Sequence, residues 1–162
     1  MSYASKRRKR GSEYAWPHLT EEEMERVYKA YFIPAYEEID KVVDKIKSVA
    51  KGFELFDYEK GIDPDHNHIE GNWIKYADGF CAVMIPSRDT PIEKILDVFK
   101  DAGFVLDEHF VKKDNSGGEY FFIKNVGNVI IKAWVFYKNT PDGTQYIEIM
   151  GICPTLENAY LP

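Results

Sequence analysis

The segment from Val129 to Lys138 constrains the fold most, because it is apolar on both sides of an extended chain. In a strand, successive side chains point to opposite faces. Val129, Ile131, Ala133 and Val135 therefore share one face, and Ile130, Trp134 and Phe136 the other. Such a strand belongs in the middle of a sheet whose two faces are both wanted for burial. The rest of the chain supplies two helical segments, enough to cover one face. The remaining face is expected to meet a protein partner or a second copy of the chain, with Trp134 and Phe136 as its interface residues.

The first helix starts at a capping box formed by Thr20 and Glu23, with Leu19 and Met24 spaced as a hydrophobic staple. Apolar residues then recur at three- and four-residue steps from Met24 to Val49, and Gly52 is a stop. Pro34 interrupts this stripe without shifting its phase, which predicts one long helix kinked there. A second helix is expected from Thr90, read as the N-cap ahead of Pro91, to Gly103. Short strands are expected at 53–58, at 72–77 and 80–85 around an Asp78–Gly79 hairpin turn, and at 104–111, 119–124, 129–138 and 144–151. After Cys153 the periodicity fades.

The fold class that follows is α+β: a mostly antiparallel sheet of six to seven strands, packed by a long kinked N-terminal helix and one inserted helix. Residues 1–18 read as a basic, flexible arm, and 19–162 as a single domain. No stretch is apolar for the length a bilayer requires, so no membrane contact is expected. Cys81 and Cys153 are too few for a disulfide framework, and Cys81 reads as a buried structural thiol, which suggests a reducing, cytoplasmic setting, or a nuclear one in a eukaryotic host.

Charge is distributed unevenly. The chain carries a net charge of −6, yet Lys6, Arg7, Arg8, Lys9 and Arg10 contribute +5, leaving −11 on the remainder. Adjacent cations repel one another until an anion meets them, so this segment is expected to contact a nucleic acid or an acidic protein surface. The acidic remainder repels phosphate.

The densest polar run is 63–70. Asp63, Asp65 and Asn67 match the first ligand positions of a helix-loop-helix calcium loop, but His68 stands where that loop needs glycine and Ile74 where it needs glutamate. His66 and His68, two apart, could bind one transition-metal ion with Asp63, Asp65 or Glu70. Without metal, His66, His68 or His109 could serve as acid–base groups in a small hydrolase or nuclease. The competing reading is a solvated loop with turn chemistry. No phosphate loop, dinucleotide turn, nucleophile elbow or Cys-x-x-Cys pair is present, so no cofactor is expected. The sequence favours a binding or assembly protein, with the His66/His68 hydrolase as the alternative.

Overall fold

The structure, a computed structural model, describes residues 17–50, 52–87 and 90–162. The basic segment Lys6–Arg10 and most of the expected arm lie outside that range. The fold is α+β, with an antiparallel sheet of eight strands rather than six to seven.

Helix α1 (Glu21–Val27) begins at the expected capping box: the Thr20 side chain accepts from the Glu23 N–H, and the Glu23 carboxylate accepts from the Thr20 N–H. A π-helical turn (Tyr28–Phe32) joins it to α2 (Ile33–Val49). There the Ile33 N–H reaches back to the Tyr28 carbonyl. This wide turn is how the chain accommodates Pro34, which sits in the first turn of α2 where a missing N–H is tolerated.

Helix α3 (Ile92–Asp101) departs from expectation at its start. Pro91 is the N-cap, no side chain caps it locally, and the Ile92 N–H is held by the Gln145 side chain at 2.8 Å. Its end is a Schellman motif. Gly103 (φ +88°) donates to Lys100 O and Phe104 to Phe99 O, while the Phe99 and Phe104 rings meet edge-on at 5.3 Å. The Lys124 ammonium closes the Ala102 carbonyl at 2.6 Å and pairs with Glu38 at 3.0 Å, so one side chain joins α2, α3 and the sheet.

The strands are β1 (Glu54–Tyr58), β2 (Ile62–Glu70), β3 (Trp73–Gly79), β4 (Ala82–Ser87), β5 (Val105–Val111), β6 (Gly117–Val126), β7 (Val129–Asn139) and β8 (Gln145–Tyr160). The run 63–70, weighed as a loop, is part of strand β2. The expected Asp78–Gly79 hairpin is not formed: β3 pairs with β2 and β8, and β4 pairs with β1 and β8. The tight turn is Gly71–Asn72 instead, where Gly71 (φ +60°) supplies the left-handed residue of a two-residue hairpin. Gly127–Asn128 makes the same turn between β6 and β7.

Strand β8 runs on to Tyr160, through Pro154, and the sheet divides along it. Its 147–152 portion pairs with β4 and its 155–160 portion with β3. Neither strand is registered opposite Cys153 or Pro154, so the missing proline N–H breaks no ladder bond on that side. At this fork Cys81, between β3 and β4, is disulfide-bonded to Cys153. The reading of Cys81 as a structural thiol is thereby corrected. The pairing was hidden because 72 positions separate the cysteines, and the cysteine-based ground for a reducing compartment goes with it.

On β7, Val129, Ile131, Ala133, Val135 and Tyr137 are buried, in one cluster with Phe32, Ile39 and Ile46 of the long helical arm and with Ile95 and Phe99 of α3. No described helix is long and apolar enough to cross a membrane.

Candidate functional site

The face of the sheet opposite the helices carries the site. Register fixes its residues: Phe121 of β6 lies opposite Trp134 of β7, Glu119 opposite Phe136, and Ile123 opposite Lys132. The Phe121 and Trp134 rings stack, with centroids 5.6 Å apart and planes inclined by 18°. Trp134 is 38% exposed despite its central strand, while Val135 beside it is fully buried. Two bulges shape the surface around it. Met150 is the extra residue where the β7–β8 register shifts, and Asp107 is the extra residue where the β5–β6 register shifts. Bulges re-aim side chains and commonly border functional surfaces.

The result is a cleft of about 370 Å³ over β5–β8, with Phe121, Trp134 and Met150 as its apolar centre and Asp107, Glu108 and Lys132 among its polar groups. Cys153, and with it the disulfide, lines its far side. A second depression of about 240 Å³ adjoins it across Trp134, between Phe136, Glu119, Glu148 and Met150. The pair of clefts is thus bordered by four carboxylates and one ammonium. Such an arrangement can take an apolar or aromatic group in its centre and cations at its rim.

The sequence-selected histidines do not converge. His66 is exposed, and its Nδ1 lies 2.7 Å from the Asp63 carboxylate. His68 is half-buried, 3.5 Å from Glu70, with its ring edge-on to Tyr76. His109 is on the far strand β5, stacked on Tyr120, whose neighbour in register is the buried Val135. His109 therefore lies across the sheet from the cleft. Among the described residues, no three His, Cys, Asp or Glu side chains gather as metal ligands. Asp65 bonds through its N–H to Asp63, and Asn67 is fully buried and structural, receiving the Leu19 N–H at 2.7 Å.

Asp78 was read from the sequence only as half of a hairpin turn. It is held by the Thr155 hydroxyl at 3.0 Å, and burial pushes its carboxyl above the usual range, against the opposing pull of Thr155, His66 and Lys132. Met150 and the four carboxylates were also missed, because only the register and the bulges bring them to Trp134.

Comparisons with protein-family models, with curated proteins and with solved structures give no match to this chain.

Proposed function

We propose that this chain is a binding protein whose working surface is the open face of the sheet, and whose Lys6–Arg10 segment engages an anionic partner. The observation that carries the reading is the Trp134–Phe121 stack at the centre of that face. Specific interfaces are built this way, with aromatic anchors in a depression and charge at the rim. Burying such an anchor contributes about 1.5–3 kcal/mol, so two or three together support a specific contact.

The rim favours a partner of complementary charge. Asp107, Glu108, Glu119 and Glu148 would repel phosphate, which argues against this face as a base-stacking platform for nucleic acid. In a two-fold pairing of copies the same carboxylates would come close to one another. A partner with apolar and basic groups meets neither obstacle. A disulfide-bonded body suits an oxidising compartment better than the reducing cytoplasm.

Panning a random-peptide library against the full chain and its Trp134→Ser variant tests the proposal. Ligands lost on that substitution, at unchanged melting temperature, support it. Ligands kept by both forms overturn it. Light scattering of both forms in parallel tests pairing of copies.

A second reading has one observation in its favour. The Asp63–His66 contact at 2.7 Å is the pairing that orients an imidazole as a general base, as a small hydrolase or nuclease would need. Phosphodiester-cleaving activity abolished by His66→Ala would support it, and activity indifferent to that change would dismiss it.

A further inference from the structure

We infer that the depression over Phe136 is an arginine site, in which the guanidinium of a partner peptide lies against Phe136 and Trp134 between the carboxylates of Glu119 and Glu148. This rests on the preceding reading that the open face is a binding surface, and it names the residue type the partner brings there.

Register builds the site. In one row across the sheet, Phe110 of β5 lies opposite Glu119 of β6, Glu119 opposite Phe136 of β7, and Phe136 opposite Glu148 of β8. Aromatic and acidic side chains thus alternate along the row, and Trp134 stands two positions away on β7. Strand spacings of about 4.8 Å put the two glutamates about 10 Å apart, one on either side of the Phe136 ring. All three side chains are half-buried, and Trp134 and Met150 complete the walls of the 240 Å³ hollow.

Charge selects a cation. Among the described residues, neither Glu119 nor Glu148 is in an ion pair. Lys138, exposed two positions beyond Phe136, offsets one of the two negative charges and leaves −1, which a single cationic side chain balances. The walls select the kind of cation. An ammonium is compact and strongly hydrated, so an aromatic hollow strips water from it at a cost. A guanidinium is planar and weakly hydrated, stacks on aromatic faces, and carries donors on both edges, one for each flanking carboxylate.

The exposed apolar groups show where the rest of such a peptide lies. Of seven large hydrophobic side chains exposed among the described residues, Phe110, Trp134 and Met150 border this hollow. The larger cleft adjoins it across Trp134 and extends to Lys132. Phe136 and Lys132 are four positions apart on β7, about 13 Å. An extended peptide therefore fills both depressions with an arginine and a large apolar residue two to four positions apart.

Random peptides selected on the full chain test the assignment. Those that depend on Trp134 should be enriched in arginine over lysine, with the apolar residue at that spacing. A synthetic consensus peptide should bind about 10-fold more tightly than its citrulline counterpart, which keeps the planar shape and loses the charge. Combining Glu119→Gln with Glu148→Gln should weaken the arginine peptide as much and leave the citrulline peptide unaffected, a cycle that separates this contact from any general loss of structure. Combining Asp107→Asn with Glu108→Gln removes equal charge farther from Phe136 and should cost the arginine peptide less. In the unaltered protein, arginine amide alone should shift the backbone amide resonances of Glu119, Phe136 and Glu148 before those of Asp107 and Glu108.

Equal enrichment of lysine and arginine overturns the assignment, as does an equal loss from the two pairs of substitutions, because net charge would then account for the binding. Arginine amide that leaves the Glu119, Phe136 and Glu148 resonances unmoved overturns it as well. Trp134-dependent peptides without arginine show that the site assigned here is wrong while the open face remains a binding surface. If the selected peptides ignore Trp134, or none is selected, the underlying reading fails.

Discussion

The hydroxyl of Tyr36 on α2 meets Gly79 at the end of β3, at the point where the sheet divides. A methyl group on Gly79 would stand 2.6 Å from that oxygen and 2.7 Å from Pro154 Cγ. Neither neighbour is free to retreat. The Tyr36 hydroxyl is bonded to the carbonyls of Gly61 and Phe80, each at 2.9 Å, and Pro154 is a buried ring in β8. Gly79→Ala should therefore cost about 1–3 kcal/mol through overpacking, read as a lowered urea midpoint. Gly71→Ala is the control. It meets nothing within 4 Å, and its cost arises only from φ +60°, about 1–2 kcal/mol. The two costs have separable causes: Gly79→Ala should be relieved in part by Tyr36→Phe, and Gly71→Ala should not.

Tyr36→Phe by itself strips a shared partner from two carbonyls and from the Gly61 N–H, whose distance to the hydroxyl is 3.3 Å. Leaving buried polar groups unpaired costs about 1–3 kcal/mol, which thermal and urea unfolding would read.

The same hydroxyl sets an alkaline limit. Burial raises the Tyr36 hydroxyl well above the ordinary tyrosine range, and burial together with the Asp40 carboxylate at 2.6 Å does so for Tyr58. In the unfolded chain both titrate near 10. Above that pH the unfolded chain gives up protons that the folded chain keeps. Their contribution to stability is thus complete below about pH 10 and declines as pH rises further. Urea midpoints measured across this range should fall on the alkaline side, and Tyr58→Phe should flatten the fall. A midpoint insensitive to both pH and substitution would contradict the assignment.

Local rules made much of this fold legible in the sequence. Thr20 and Glu23 lie three positions apart, and the two-sided apolar pattern of Val129–Lys138 requires only the period of a strand. What stayed hidden depends on partners remote in the chain. Gln145 caps a helix that begins at Ile92, and Cys153 finds Cys81. Pro154 reads as a break because the fork that spares its missing N–H is a tertiary feature. Asp78–Gly79 has the composition of a hairpin turn, yet β8 pairs with Asp78 through Thr155 and keeps the chain extended. For the site, Trp134 was visible as an outward aromatic. Met150 and the rim carboxylates were not, because two bulges decide which way Met150 and Asp107 face.

Asn67 illustrates the same limit, since its polar neighbourhood suggested chemistry where the structure has a joint. Its Oδ1 accepts the Leu19 N–H at 2.7 Å, just before the helix cap, and its amide donates to the carbonyls of Asp63 and Pro64 at 3.0 and 3.2 Å. Three backbone groups in the irregular stretch of β2 and at the approach to α1 depend on one fully buried side chain. Asn67→Ala should cost about 2–3 kcal/mol, at the upper end for unsatisfied buried groups. Amide exchange should quicken at Leu19 first, and unchanged exchange there would refute the role.

The disulfide stands where the ladder is thinnest. Cys153 and Pro154 have no registered neighbour toward β3 or β4, so the Cys81–Cys153 bond ties β8 to the crossing between those strands in place of hydrogen bonds. It closes a loop with a sequence separation of 72, for which the chain-entropy estimate is about 4 kcal/mol. The double variant Cys81→Ser/Cys153→Ser, and the natural chain under reductant, should each lose about 2–4 kcal/mol, a fall in melting temperature of roughly 4–16 °C. The loss should be local as well as global. Amides of 79–83 should exchange faster, while those of β6 and β7, held by an unbroken register from Gly117 to Val126, should exchange faster only in proportion to global unfolding. Because Cys153 also lines the cleft, ligands selected on the oxidised protein should bind the reduced form less tightly. Equal melting temperatures for the oxidised and reduced chains would show that the helices and the remaining ladders hold the fork without the bond.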